Sequence, residues 1–328
     1  MTARPITALV NQFRNCLQPE HNGNTLSLTR FSQQQLEHYA DIPVYRARSL
    51  CPAGVCLDVL TDSAALALQV ELISLIRPYI YFDVYVDDQW TASVGEQEPS
   101  LGLRRFDISL PPQPLNQLRR VTVYMPHNVE LIVRDVLWPA GIQVQPAPAP
   151  VAKLLCLGDS ITQGMDATLP SLTYSVLLSR KLGMSLLNQG VGGYHFNKDS
   201  LDPSLNYTPD LITIAYGTND WGKWKSLQEL HDRVDAYVKA VVEIFPQAEV
   251  CVLTPLWRVD IESPKEMGTF EQMADTIESA VLRHPGVRLI RGTELMPPDS
   301  SLLADNVHPR DQGFGQIAEK LAELIRNS

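Results

Sequence analysis

The sequence predicts two folded units of different class. Residues 1–145 read as an antiparallel β-sandwich, jelly-roll-like, and residues 152–328 as an α/β unit with a parallel sheet. Three observations carry this. The first half is a series of short apolar-polar alternating runs separated by turn residues, with no helical spacers between them. A segment with Pro146, Pro148 and Pro150 follows, and its alternating Pro and Ala favour an extended linker over a sheet. Beyond it, apolar runs and amphipathic helical patterns alternate to the C-terminus, the mark of a parallel sheet covered on both faces.

The expected strands of the first half are "NTLSLTRF", "VCLDVLT", "ALALQVELI", "YIYFDVYVD", "RRFDISL", "RRVTVYM" and "VELIVRDVLW". Residues 146–151 are the linker. "KLLCLGDS" then reads as a strand with a polar end, and "LTYSVLLSRKLG" as a helix closed by Gly183. "MSLLNQG" and "DLITIAYGTND" are further strands. "SLQELHDRVDAYVKAVVEIF" places Leu227, Leu230, Val234, Tyr237, Val241 and Phe245 on one helical stripe. "AEVCVLTP", "FEQMADTIESAVLRH" and "GVRLIRG" continue as strand, helix, strand. A last helix carries Phe314, Ile317, Leu321 and Leu324 on one face.

Composition narrows the function. The 328 residues are 45% hydrophobic with a formal net charge of -10, enough for two cores and without the basic footprint that nucleic acid requires. The five cysteines have neither disulfide-framework nor zinc-site spacing, so reduced thiols are expected, although Cys51 and Cys56 are near enough to pair in an exported protein. The N-terminal stretch lacks the apolar core of a signal peptide, and no run reaches the roughly 18 apolar residues of a membrane span. A cytoplasmic location and no membrane partner are expected. Oligomeric state is not legible.

Four polar segments end the apolar runs of the second half: Gly158-Asp159-Ser160-Ile161-Thr162, "NQGVGG" at 188–193, Gly217-Thr218-Asn219-Asp220, and "DNVHP" at 305–309. Each alone is compatible with an ordinary turn. Together they lie where a parallel sheet gathers a ligand site, at the carboxyl ends of its strands. They also supply a set that acyl transfer needs. Ser160 is a candidate nucleophile and His308 a candidate base. Asp305, three residues before His308, is within one turn of it and can fix the imidazole tautomer. The N–H groups of Ser160 and Gly193 and the side-chain amide of Asn219 are candidate oxyanion donors. Asp159 is expected to hold the turn rather than to react. No GxSxG elbow is present, and "GVGGYH" lacks the third glycine of a dinucleotide fingerprint.

These four blocks make the second half resemble the SGNH hydrolase superfamily, the GDSL esterases and lipases, over about residues 152–327. The glycine five residues after an Asn in the second block selects Gly193 over Gly192. The resemblance implies a three-layer α/β/α fold of flavodoxin-like type with a five-stranded parallel sheet. It implies ester hydrolysis through an acyl-serine, with no metal or organic cofactor. "GDSITQGMDATLPSLTY" and "ITIAYGTNDW" look like a two-domain bacterial branch with the sandwich in front, among whose relatives are carbohydrate esterases that remove acetyl groups and an acyltransferase of natural-product synthesis.

The expected substrate is therefore a short-chain, foremost acetyl, ester of a carbohydrate or small polyol. An acyltransferase using the same residues is the alternative, and a non-catalytic glycan-binding protein the second. Tyr194, Trp221 and Trp257 near the motifs suit sugar rings or aryl groups, and Asp166, six residues after Ser160, suits a substrate hydroxyl. The sandwich is expected to lean over the site.

Overall fold

The computed structural model describes the chain except residues 1, 4–9, 18, 23, 24, 113, 115, 116 and 328. Two antiparallel sheets form the first half. One runs in the order Glu20–Asn22, Thr25–Ser27, Val129–Trp138, Ala65–Leu75, Gly102–Ser109, with Thr2–Ala3 also paired to Val129–Trp138. The other runs Val144–Pro146, Cys56–Thr61, Arg119–Tyr124, Tyr79–Val86, Gln89–Gln97, with Phe13–Arg14 on Cys56–Thr61. Their inner faces share one core that includes Leu68, Val70 and Val133 from the first sheet and Val59, Phe82 and Val121 from the second.

The outer face of the second sheet is also buried. Cys56, Tyr85 and Tyr124 pack in the same apolar cluster as Ile161, Tyr174 and Leu178 of the second half. That two-sided burial is why "VCLDVLT" is apolar almost throughout rather than alternating.

Each of the seven expected runs in the first half contains a strand. The first half also differs from expectation. The short strands Thr2–Ala3, Phe13–Arg14 and Glu20–Asn22 lie outside the expected runs. Gln89–Gln97 is an additional strand with no buried position, so its apolar signal is weak. Val144–Pro146 joins the second sheet at its edge, where the missing proline N–H costs no ladder bond. Two helices, Gln33–Ala40 and Pro43–Ser49, interrupt the strands. Ser32 and Gln35 form a reciprocal capping box on the first, and Pro43 opens the second. Phe31 and Tyr39 bury against Tyr194 and Tyr216 of the second half, so these helices belong to the domain contact.

The second half has a five-stranded parallel sheet in the order Ser185–Gly190, Lys153–Gly158, Leu211–Ala215, Glu249–Leu253, Val287–Ile290. This is the flavodoxin-like order, second strand outermost. The helices Leu227–Ile244 and Phe270–Val281 share a core with one face of the sheet. The helices Tyr174–Leu182 and Asp311–Arg326 pack on the other. Gly183 closes its helix at φ 65°. All five cysteines are free thiols. Among the described residues no helix is long and apolar enough to cross a membrane.

Candidate active site

The strand Lys153–Gly158 ends in Asp159, which caps the one-turn helix Ser160–Gln163 by accepting the Ile161 N–H at 2.9 Å. Ser160 thus sits at the first helical position, above the carboxyl edge of the sheet. His308 reaches it from the loop before the last helix, with Nε2 2.9 Å from Ser160 Oγ. The loop is fixed by its own backbone: Ala304 N–H donates to the His308 carbonyl, and Arg310 N–H to that of Leu302.

Asp305 holds the histidine twice. Its Oδ1 accepts the N–H groups of Val307 and His308, each at 2.7 Å, and its Oδ2 lies 2.8 Å from His308 Nδ1. These bonds outweigh its partial burial and bring its pKa down to about 2. A carboxylate only accepts, so Nδ1 carries the proton and Nε2 is left to accept from the serine hydroxyl.

Gly193 lies at the turn after Ser185–Gly190. Its φ of 77° is left-handed, and a Cβ there would come within 2.9 Å of Arg48 Nη1. Asn188 explains the spacing to that glycine. Its amide donates to Thr162 O at 2.7 Å and Ser175 Oγ at 2.9 Å and accepts Gly190 N–H, which clamps the strand end to the Ser160 helix. Gln163 extends the clamp by accepting Gly192 N–H at 2.9 Å. The N–H groups of Ser160 and Gly193 donate to no other group among the described residues. Asn219 Nδ2 donates to Asp159 Oδ2 at 3.2 Å and to Tyr194 O at 2.9 Å. Burial pushes Asp159 up to about 7, opposed by the Ile161 N–H.

The structure therefore brings Ser160, His308, Asp305, Gly193 and Asn219 to one place. It treats the other four candidates differently. Trp221 is fully buried, stacked edge-on against Phe270, and its Nε1 donates to Gly268 O. Its faces are closed to a ligand. Tyr194 is buried among Tyr39 and Tyr45, with its hydroxyl against His38 and Asn197. It is a domain-contact residue. Trp257 is half-buried on a segment whose neighbours touch two site loops: Arg258 donates to Thr218 O and Val259 N–H to Asn306 O. Asp166 gives both carboxylate oxygens to Arg77, at 2.7 Å each, and its Oδ2 lies 3.3 Å from His308 Nδ1.

The sandwich half supplies further site residues that no motif signalled. Arg48 donates to Gly192 O at 2.7 Å, and Tyr45 to Gly193 O at 3.2 Å. Arg77 reaches the His308 loop through its pair with Asp166. Among the described residues, Asp166, Asp305 and His308 are the cluster whose donor atoms could converge on a cation. The Arg77 guanidinium already occupies that carboxylate and opposes a second positive charge there. A cavity of about 560 Å³ lies between the sandwich and helix Tyr174–Leu182 and includes none of the five assembled residues.

Comparison with known proteins fits this arrangement. Residues 156–315 match a family described as the GDSL-like lipase/acylhydrolase family. No curated protein sequence matches. A salicylyl-acyltransferase from a tetracycline biosynthetic pathway superposes with a TM-score of 0.79 at 19% identity, over 95% of this chain and 94% of that one. A putative GDSL-like lipase from Bacteroides ovatus gives 0.79 at 17% identity, over 99% and 97%. An acetyl xylan esterase from Butyrivibrio proteoclasticus gives 0.61 at 15% identity, over 84% and 89%. At these identities the structures share the two-domain fold with this chain.

Proposed function

The chain carries a hydrolase domain of the GDSL-like lipase/acylhydrolase family, and from that premise we propose that it is a serine esterase acting on short acyl esters, foremost acetyl esters of a carbohydrate or small polyol. One observation carries the reading: His308 bridges Ser160 Oγ at 2.9 Å and Asp305 Oδ2 at 2.8 Å. That is hydrogen-bond reach for a nucleophile, a base and an orienting carboxylate.

In this mechanism His308 Nε2 takes the hydroxyl proton as Ser160 Oγ attacks the ester carbonyl. The imidazolium that forms is stabilised through Nδ1–H by the Asp305 carboxylate. The N–H groups of Ser160 and Gly193 receive the developing oxyanion. Asn219 can join them only by releasing one of its two present bonds. The bond to Asp159, at 3.2 Å, is the longer and gives way first. His308 then protonates the leaving alcohol, and water attacks the acyl-serine by the same proton path in reverse. Trp257, with a partly exposed ring beside the site loops, is the aromatic left to stack on the alcohol part.

The same residues would transfer the acyl group if an acceptor alcohol reached the acyl-serine before water. The full-length likeness to a salicylyl-acyltransferase makes that the second reading. Hydrolysis of p-nitrophenyl acetate, butyrate and octanoate by wild type and Ser160→Ala tests the assignment, with acetylated sugars and added alcohols as the next panel. Acetate fastest and an inactive variant support the esterase. Equal rates for wild type and variant contradict it.

A further inference from the structure

We propose that Asp166, held in place by Arg77 of the sandwich, is a second positioning carboxylate for His308 that can take the Nδ1 proton in place of Asp305. The inference rests on the reading of Ser160 and His308 given above.

Two carboxylate oxygens lie close to Nδ1: the one from Asp305 is aligned as a hydrogen bond, and the one from Asp166 is an ion contact. Asp305 Oδ2 is the nearer at 2.8 Å, and Asp166 Oδ2 lies at 3.3 Å. Their surroundings differ in the opposite sense. The Asp305 side chain is 53% exposed, that of Asp166 only 19%. Water screens the first far more than the second. Asp166 is also the more tightly built in. The Arg77 guanidinium grips both its oxygens in a bidentate pair, the geometry that fixes a carboxylate plane. Oδ2 still has a lone pair for the imidazole, because a carboxylate accepts about four hydrogen bonds.

The backbone supports the same placement. Asp166 has φ 71°, in the left-handed region that aspartate tolerates and most side chains avoid. Tyr79, two residues beyond Arg77, donates to the carbonyl of Ala167 at 2.9 Å. The turn that carries Asp166 is thus tied to the sandwich at the carboxylate and at the residue after it. Had Asp166 served only to join the domains, its pair with Arg77 would have sufficed, and Oδ2 need not have come within 3.3 Å of Nδ1.

The consequence is redundancy. In Asp305→Asn the remaining carboxylate at 166 takes over the Nδ1–H by a small tilt of the ring and keeps Nε2 free for Ser160. With both replaced, an amide N–H can donate to Nδ1, the proton moves to Nε2, and the histidine can no longer act as base.

The test uses the full chain with 15N-labelled histidine. Nitrogen shifts of His308 report the tautomer, and kcat and KM are followed on p-nitrophenyl acetate. Asp305→Asn is expected to lose about tenfold in kcat and keep the Nδ1–H form. Asp166→Asn/Asp305→Asn is expected to lose about 10⁴-fold with little change in KM and to show the Nε2–H form. Asp166→Gly, which suits φ 71°, replaces Asp166→Asn if the latter folds poorly. A double variant no worse than Asp305→Asn, with Nδ1–H retained, overturns the proposal. So does an Asp305→Asn protein that already shows the Nε2–H form. If wild type hydrolyses no ester, the functional reading fails, and the tautomer measurement still decides this one.

Discussion

Arg30 is fully buried, and its Nη1 donates to the carbonyls of Asn188 at 2.5 Å and Gly190 at 3.0 Å. A residue of the sandwich half therefore closes off the hydrolase strand that delivers the Gly193 turn. Its remaining donors go to the carbonyls of Cys51 and Arg48, so the same guanidinium also fixes the chain behind the Arg48 side chain. Arg30→Met takes the guanidinium away from all four carbonyls, of which Cys51 O keeps the Ala53 N–H and Arg48 O the Cys51 N–H. The expected loss is about 1–3 kcal/mol in urea denaturation. Arg30→Lys should recover only part, because an ammonium cannot serve carbonyls along a planar fork. A loss below about 0.5 kcal/mol for Arg30→Met would show that the contact does not hold the domains.

Trp221 separates packing from substrate contact. Trp221→Phe removes the Nε1 bond to Gly268 O and should cost about 1 kcal/mol. Trp221→Ala should cost about 3–5 kcal/mol through the cavity it leaves. Because the ring is buried, KM for short esters should stay the same in Trp221→Phe. A large rise in KM at unchanged stability would place the ring in the substrate site after all.

At Gly193 a side chain meets both a left-handed backbone and the Arg48 guanidinium. The guanidinium end can move aside, so the lasting cost is the backbone, about 1–2 kcal/mol. The turn's N–H would shift with it, and kcat should fall about 10²-fold if that N–H serves the oxyanion. Steady-state kinetics of Gly193→Ala with unchanged kcat would remove Gly193 from the donor set.

Buried titrating groups oppose one another in pH. Burial raises Asp159 to about 7, so the folded state holds its proton more tightly than the unfolded chain. That contribution favours folding below about pH 4 and is lost as pH rises through 7. Burial lowers His127 to about 4, so its contribution is lost as pH falls from about 6.5 through 4. Relative to wild type, Asp159→Asn should therefore gain stability as pH climbs from 4 to 7. His127→Gln should gain as pH falls over the same range. Urea midpoints at pH 4.5 and 7.5 check both signs, and parallel pH profiles for all three proteins would contradict the burial argument.

The site loops were legible because each polar residue follows an apolar run, and a parallel sheet puts the ends of such runs together. Gly193 could be chosen over Gly192 by its distance from an Asn, and the structure shows what that Asn188 does: it clamps the strand to the Ser160 helix. The helices at 33–49 were signalled locally by Ser32, Gln35 and Pro43, but their apolar partners lie more than 150 residues away and are invisible to a local period. Arg30, Arg48 and Arg77 were illegible for the same reason. An arginine in a strand-rich half reads as surface until the domain that buries it is in place. Tyr194 and Trp221 follow their motifs in the chain but turn inward, and sequence order does not tell which way an aromatic after a motif turns. Asp166 is near the chemistry, though it faces Arg77 and His308 rather than an open subsite.

Covalent acylation of Ser160 is tested by peptide mass spectrometry after a rapid acid quench of the protein mixed with excess p-nitrophenyl acetate. One acetyl group per chain is expected on the peptide containing Ser160, and none in Ser160→Ala or His308→Ala. An unmodified Ser160 in a protein that is turning over the ester, or the same labelling in Ser160→Ala, would contradict it.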